Sequence, residues 1–379
     1  MPVCRPGSPN GWPSAGDPFP SGPRRARRPA PGHRVKVLIL KPSSLGDVVQ
    51  ALPVLRLIKQ HLPAAELYWW IDSGLAGLLE GDPDLNGIFR FERRRWASPL
   101  RWDELLASIR TLREQRFDWV IDLQCLARSG AVAWLTNGEL TVGLDEPREG
   151  ARGFYDLIAR RRTFHTHAVD WYLAVLPLLH VPVHSQFTWL PPRPAIAAQL
   201  GSKWPVSREA RWFILQPGAR WVTKRWPAEN FAELLRQLAD AHPEHRFAVL
   251  GSAEDQPLGE TIVRAAPERS LNLAGQLSLP EMIEWIRLAD LMVSNDTGPM
   301  HVAAALGKPV VALFGPTDAR RTGPYGQIEQ VLYTPLPCRP CFSLRCNYAK
   351  PFECLRAISP QTVFKAVNER MKEGQLVNV

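Results

Sequence analysis

The chain has 379 residues, enough for two or three domains on a rough prior of 100–200 residues each. Hydrophobic residues make up 45% and charged residues 22%, the balance of a soluble globular protein, and no apolar run approaches the roughly 18 residues of a membrane span. Net charge is +9, but Arg5, Arg24, Arg25, Arg27, Arg28 and Arg34 face Asp17 alone in residues 1–34, so the remainder is only mildly basic. That argues weakly for nucleic acid. Anionic small molecules or an anionic membrane face fit equally well.

Residues 1–34 are Pro, Gly, Ser and Arg with almost no aliphatic side chains, and are expected to be disordered. The start lacks the apolar core of a signal peptide, so a cytoplasmic protein is expected. Without a secretion signal, the six cysteines do not read as a disulfide framework.

Val35 to Leu40 reads as a buried strand, and Lys41 to Asp47 as a turn. Val48 to His61 follows with helical spacing. This is a nucleotide-fold opening without G-x-G-x-x-G; Asp47 stands instead at the helix start. Strands are expected at 67–71, 87–91, 119–123 and 141–143, and helices at 102–113, 127–135 and 165–178. Strands alternating with helices mean a parallel α/β sheet. The prolines of 189–206 mark a linker. A second series follows, with strands at 211–216, 247–250, 271–273, 291–293 and 310–314. Its helices fall at 228–241, 256–265, 280–288 and 300–306, and a last one at 361–372.

The expected organisation is therefore a tail (1–34), an N-terminal Rossmann-like domain (35–188), a Pro-rich linker (189–210), a C-terminal domain (211–358) with a Cys-rich loop (337–354), and a final helix (359–379). A cleft is expected between the two domains.

Parallel sheets bind ligands beyond the carboxyl ends of their strands. Four stretches lie at such ends: Ser43 to Asp47, Gln124 to Ser129 with Arg128, Gln216 to Ala219 followed by Lys224-Arg225-Trp226-Pro227, and Asn295 to His301. The last is rich in N-cap residues, and Pro299 suits a first helical turn, so it presents a helix N-terminus suited to phosphate. One acid, several cations and a helix N-terminus suit group transfer from a diphosphate donor.

The series K-P-S-S-L-G-D (41–47), D-L-Q-x-L-x-R-S (122–129), Q-P-G-A…K-R-W-P (216–227), L-G-S-A-E-D (250–255), L-A-G (273–275), N-D-T-G-P-M-H (295–301) and F-G-P-T-D (314–318) resembles the glycosyltransferase family 9 heptosyltransferases, across roughly residues 35–360. The resemblance implies a GT-B fold, two Rossmann-like domains facing a cleft. It implies inverting, metal-independent transfer of heptose from ADP-heptose to Kdo-bearing lipid A or a started core, with no cofactor and no nucleic-acid partner. It places the protein in the cytoplasm, peripheral on the anionic inner face of the inner membrane.

Carried over by residue, Asp47 looks like the general base and Lys224 the lysine on the donor phosphates. Gln216, Gly218, Glu254, Asp296, Thr297, Gly298 and His301 look like donor contacts. Ser44, Gly46, Arg93, Arg94, Arg128 and Arg148 fall where acceptor contacts are expected. Each has an ordinary reading too: Asp47 as a first-turn acid, Asp296 as a cap, His301 as a packed histidine, Glu254 as a loop acid. Cys338, Cys341, Cys346 and Cys354 could hold zinc or an iron–sulfur cluster, but they lack the paired spacing of a strong zinc site and read rather as structural thiols, and Cys125 as a packed one. The alternatives are a nucleotide-sugar epimerase on the same fold, a family 9 transferase with another donor, and a non-catalytic nucleotide binder.

Overall fold

The computed structural model describes residues 34–146, 148–204 and 210–376. The tail expected to be disordered lies outside these, Arg34 excepted. Each half is built on a sheet of six parallel strands. In the first, β1 (Lys36–Leu40), β2 (Glu66–Asp72), β3 (Gly87–Phe91), β4 (Trp119–Asp122), β5 (Leu140–Leu144) and β6 (Leu157–Ala159) lie in the order β3-β2-β1-β4-β5-β6. In the second, β7 (Arg211–Gln216), β8 (His245–Val249), β9 (Ser270–Asn272), β10 (Leu291–Asn295), β11 (Val310–Leu313) and β12 (Val331–Leu332) lie in the order β12-β11-β10-β7-β8-β9. Counted from its own first strand, the second sheet repeats the winding of the first, the doubly wound order of nucleotide-binding folds.

The helices are α1 (Leu45–His61), α2 (Trp102–Glu114), α3 (Ala127–Thr136), α4 (Ala168–Leu173), α5 (Pro194–Lys203), α6 (Ala228–Ala241), α7 (Gln256–Val263), α8 (Leu279–Leu288) and α9 (Gly298–Ala305), with a C-terminal helix at Pro360–Leu376. Three features depart from the sequence reading. The helix expected over 165–178 stops at Leu173, and a separate 3-10 turn begins at Pro177, which cannot donate a backbone hydrogen bond. The three-residue β6 was not expected. The Pro-rich connection contains α5, which starts on Pro194, buries Leu200 and pairs Lys203 with Glu281 of α8 at 3.0 Å.

Helix α1 is buried on almost every side, as its continuous apolar run requires. It lies between the first sheet and the second half, and a single apolar cluster runs from β1 through α1 to Met300, Val302 and Ala303 of α9. Its two buried polar side chains are both partnered. Gln50 reaches His301 at 3.3 Å, and Arg56 bonds Asp82, Asp84 and the Trp189 carbonyl. The N-termini of α1 and α9 meet with no room for a side chain. A Cβ on Gly46 would lie 2.4 Å from His301 Cδ2, and one on Gly298 would lie 2.7 Å from Leu45 Cδ2. Further bonds cross nearby, from Tyr325 to Asp170 (2.7 Å) and from His167 to the Gly323 carbonyl (3.0 Å).

Gly46→Ala should therefore wedge α1 from α9. A loss of about 1–3 kcal/mol in urea unfolding is expected for overpacking of this kind. An unchanged midpoint would mean that the two helices do not meet in solution.

Candidate active site

In a doubly wound sheet the ligand crevice opens where the chain leaves two adjacent strands in opposite directions. That point lies between β1 and β4 in the first sheet and between β7 and β10 in the second. All four stretches singled out in the sequence leave these strands, and the α1–α9 contact brings the two crevices together.

In the first half, Ser44 caps α1 and Asp47 occupies its third position. Asp47 Oδ2 accepts from the Ser44 backbone N–H (2.9 Å) and hydroxyl (2.6 Å). Its Oδ1 is left with only a long contact to the Tyr172 hydroxyl, 3.4 Å away. Lys41 is buried at the end of β1, donates to the Leu123 carbonyl at 3.0 Å, and lies 4.8 Å from the Tyr172 ring centre. Burial by itself would raise the Asp47 pKa. The Lys41 charge and the two Ser44 bonds outweigh it and hold the carboxyl below its ordinary value. Burial likewise opposes the Lys41 charge, but Tyr172 and Asp47 raise its pKa above the usual one. Burial pushes Tyr172 up to about 12, so it stays a neutral phenol.

Ser44 and Asp47 line a cavity of about 260 Å³ with Trp70, Phe91, Arg93, Arg128 and Arg220. One carboxylate thus faces three guanidinium groups and two aromatic rings. Such a wall suits an anionic ligand with a sugar face. Arg220 comes from the second half and was not singled out in the sequence. Arg94 is exposed and does not line this cavity. Arg148 opens a turn at 148–154, and its side chain lies outside the described residues.

In the second half, Lys224 pairs with Asp296 at 2.6 Å, and the Thr317 hydroxyl donates to the same carboxylate oxygen at 2.6 Å. Thr297 is the N-cap of α9, and Gly298 begins the helix. Gln216 donates to the Gly218 carbonyl at 3.2 Å. A Cβ on Gly218 would strike Asp255 Oδ2 at 2.3 Å. Asn295 holds the 217 and 226 backbones together, at 2.7 and 3.1 Å. His301 is buried and its pKa falls to about 4 through that burial, so it is neutral. The Gln50 amide facing its Nδ1 leaves the proton on Nε2, against α1. Glu254 is exposed on a turn; its neighbour Asp255 is the buried acid, bonded to Ser252 and paired with Arg225 at 3.3 Å.

Lys41 and Thr317 sit inside the matched motifs but were not assigned roles. Tyr172 carries no local signal, being 125 residues from Asp47.

Cys125 is buried, with its pKa raised to about 12 chiefly by burial, and is an inert thiol. Cys338, Cys341, Cys346 and Cys354 are free. Their loop braces the second-half crevice: Arg339 donates to the Gly315 and Thr317 carbonyls (2.5 and 3.1 Å), and Thr223 donates to the Ser343 carbonyl at 3.0 Å. Among the described residues, the group with metal-ligand spacing is His242, Glu244 and His245, whose ligand atoms lie within 4.8 Å of one another. It sits at the start of β8, at the end of the sheet away from the crevice.

The profile of glycosyltransferase family 9 (heptosyltransferase) matches residues 105–351. Lipopolysaccharide heptosyltransferase 1 of Pseudomonas aeruginosa is 30% identical over 83% of this chain and 88% of its own length. Lipopolysaccharide heptosyltransferase 2 of Escherichia coli is 28% identical over 79% and 88%. Among solved structures, Escherichia coli heptosyltransferase WaaC with ADP matches with a TM-score of 0.69 and 25% identity, over 90% of this chain and all of that one. ADP-heptose lps heptosyltransferase II of the same organism matches with a TM-score of 0.73 and 24% identity, over 90% and 100%. The matched structures share the GT-B architecture, two parallel α/β domains about a cleft.

His301 generates a prediction about pH. The unfolded chain takes up a histidine proton near pH 6.5, whereas the folded chain refuses it until about pH 4. Stability should be complete above the first value and be lost as pH falls toward the second, on the order of 3 kcal/mol for this one group. His301→Asn should show a smaller drop in urea stability between pH 7 and 5 than the wild type. Equal drops would mean that His301 is not held neutral.

Proposed function

The chain belongs to glycosyltransferase family 9, the heptosyltransferases, and on that premise we propose that it moves heptose from ADP-heptose to a Kdo- or heptose-bearing inner-core acceptor of lipopolysaccharide, with inversion and with Asp47 as general base. The observation that carries this reading is the Asp47 carboxylate, held ionised on the wall of an arginine-lined cavity beside the N-terminus of α9.

Asp47 Oδ2 is occupied by Ser44, so Oδ1 is the atom that takes the proton from the acceptor hydroxyl. The hydroxyl oxygen attacks the anomeric carbon from the face opposite the diphosphate. The bond from that carbon to the phosphate oxygen breaks, and ADP leaves with the electron pair. One displacement inverts the centre and needs one base. Lys224 and the first turn of α9 offset the charge that develops on the leaving diphosphate, so the reaction draws on no metal. Asp296 anchors Lys224 and faces the sugar, while Gln216, Gly218, Thr297 and Gly298 border the nucleotide. His301, neutral and fixed by Gln50, offers an N–H at the junction of the two helices. Arg93, Arg128 and Arg220 receive the acidic groups of the acceptor. An epimerase would have no use for so cationic an acceptor wall. No helix among the described residues is long and apolar enough to cross a membrane; in this reading the enzyme works at the cytoplasmic face of the inner membrane.

The first test is ADP release from ADP-heptose with Kdo-bearing lipid A. The wild type should release ADP only with acceptor present. Asp47→Asn should bind donor normally and lose at least about a hundredfold in turnover. An inactive wild type that ADP still stabilises would overturn the acceptor and keep the donor site; no ADP binding would overturn both.

Lys41→Met removes the charge that lowers the Asp47 pKa. The acid limb of its kcat profile should therefore move to higher pH, with turnover recovering as pH rises. A limb at the wild-type position would sink the role of Lys41 as the residue that keeps the base ionised.

A further inference from the structure

The first turns of α2 and the 3-10 turn before it expose large apolar side chains where a solvated face would be polar. Leu100, Trp102 and Leu106 are 88%, 57% and 65% exposed. Trp102, Leu106, Arg110 and Arg113 share one stripe at helical spacing, while the opposite face buries Leu112. The 92–101 loop and α2 together contain six arginines against Glu92, Asp103, Glu104 and Glu114. Glu104 is consumed locally: Arg95 binds it in two places at 2.6 Å, Arg101 at 2.9 Å, and Trp96 donates to it at 3.3 Å. That knot fastens the 92–101 loop to α2 and presents Leu100 and Trp102 on a fixed platform. The loop also begins at the cavity, since Phe91 and Arg93 line it with Asp47.

We propose that Leu100, Trp102 and Leu106, ringed by Arg94, Arg110 and Arg113, dock the enzyme on an anionic lipid surface, with the mouth of the Asp47 cavity facing the bilayer. The leucines enter the acyl boundary, the indole sits at headgroup level, and the arginines meet lipid phosphates. Charge complementarity and continuity with the cavity favour lipid over a second copy of the chain. The proposal deepens the glycosyltransfer reading, because an acceptor anchored by its acyl chains then meets the base without leaving the membrane.

The test uses the full chain and a triple variant, Leu100→Ser, Trp102→Ser and Leu106→Ser, none of which lines the cavity. Co-sedimentation is measured with phosphatidylcholine vesicles, with and without one third phosphatidylglycerol. The wild type should partition onto the anionic vesicles, and the variant about tenfold less, with an unchanged melting temperature. Turnover should fall for acceptor presented in vesicles and stay at the wild-type level for deacylated acceptor. Wild-type partitioning by the variant overturns the proposal. So does equal loss on both acceptors, which would put the patch in the acceptor subsite. A dimer in light scattering that the variant dissolves would assign the face to a second copy. If the wild type transfers to neither acceptor yet still partitions through the patch, the glycosyltransfer reading fails and the docking surface stands.

Discussion

The constraint that positions the crevice is the contact between the first turns of α1 and α9. Gly46 lies against His301 and Gly298 against Leu45, with space for no Cβ at either position. Everything at the crevice depends on it. The two helices follow β1 and β10, each beside the switch point of its sheet, so their contact aligns the two crevices. It also sets two positive helix ends together, a concentration of charge that favours an anionic ligand. Leu45 and Gly46 immediately precede Asp47 in sequence. The packing that closes the two halves therefore also fixes the carboxylate.

Electrostatics at the site follow from confinement. A carboxylate taken out of water tends to protonate. Lys41 prevents this without forming a direct ion pair with it: its ammonium is spent on the Leu123 carbonyl and the Tyr172 ring, and acts on Asp47 through space. Asp47 keeps its charge, and its Oδ1 has only the long contact to the Tyr172 hydroxyl. The second half shows the complementary arrangement, with Lys224 held by Asp296 and Thr317. Each half pairs an acid with a lysine at its crevice. In the first the two act through space, and in the second they form a direct ion pair.

Much of the fold was legible because strand and helix periods are strong where both faces of a sheet are covered. Runs such as 36–40 and 211–216 are nearly all apolar, and their strands fall where the pattern put them. What was missed is short or interrupted. β6 has three residues, Pro177 cuts a helical pattern that otherwise runs on, and the prolines around 189–206 conceal α5. The candidate residues Asp47, Lys224 and Asp296 could be named because each stands near a strand's carboxyl end inside a dense local motif. Tyr172 and Arg220 could not. Tyr172 comes from a segment that meets Asp47 only in the folded molecule, and although Arg220 lies within the 216–227 motif, nothing local shows that it turns toward the first-half cavity. At Glu254 and Asp255 the motif was legible but not which acid turns inward; the Ser252 bonds decide that.

The repeated winding sets two crevices with unlike linings against each other. The first crevice has the Asp47 carboxylate and cationic walls from Arg93 and Arg128. The second has Lys224 and the N-terminus of α9, with Asp296 bonded to Lys224 and Thr317. Equal sheets thus carry unequal loops, and the two sets of polar groups meet at their junction. The Cys-rich loop belongs to the same logic. By holding the Gly315, Pro316 and Thr317 backbone through Arg339 and Phe342, it fixes the hydroxyl that holds Asp296, which in turn holds Lys224.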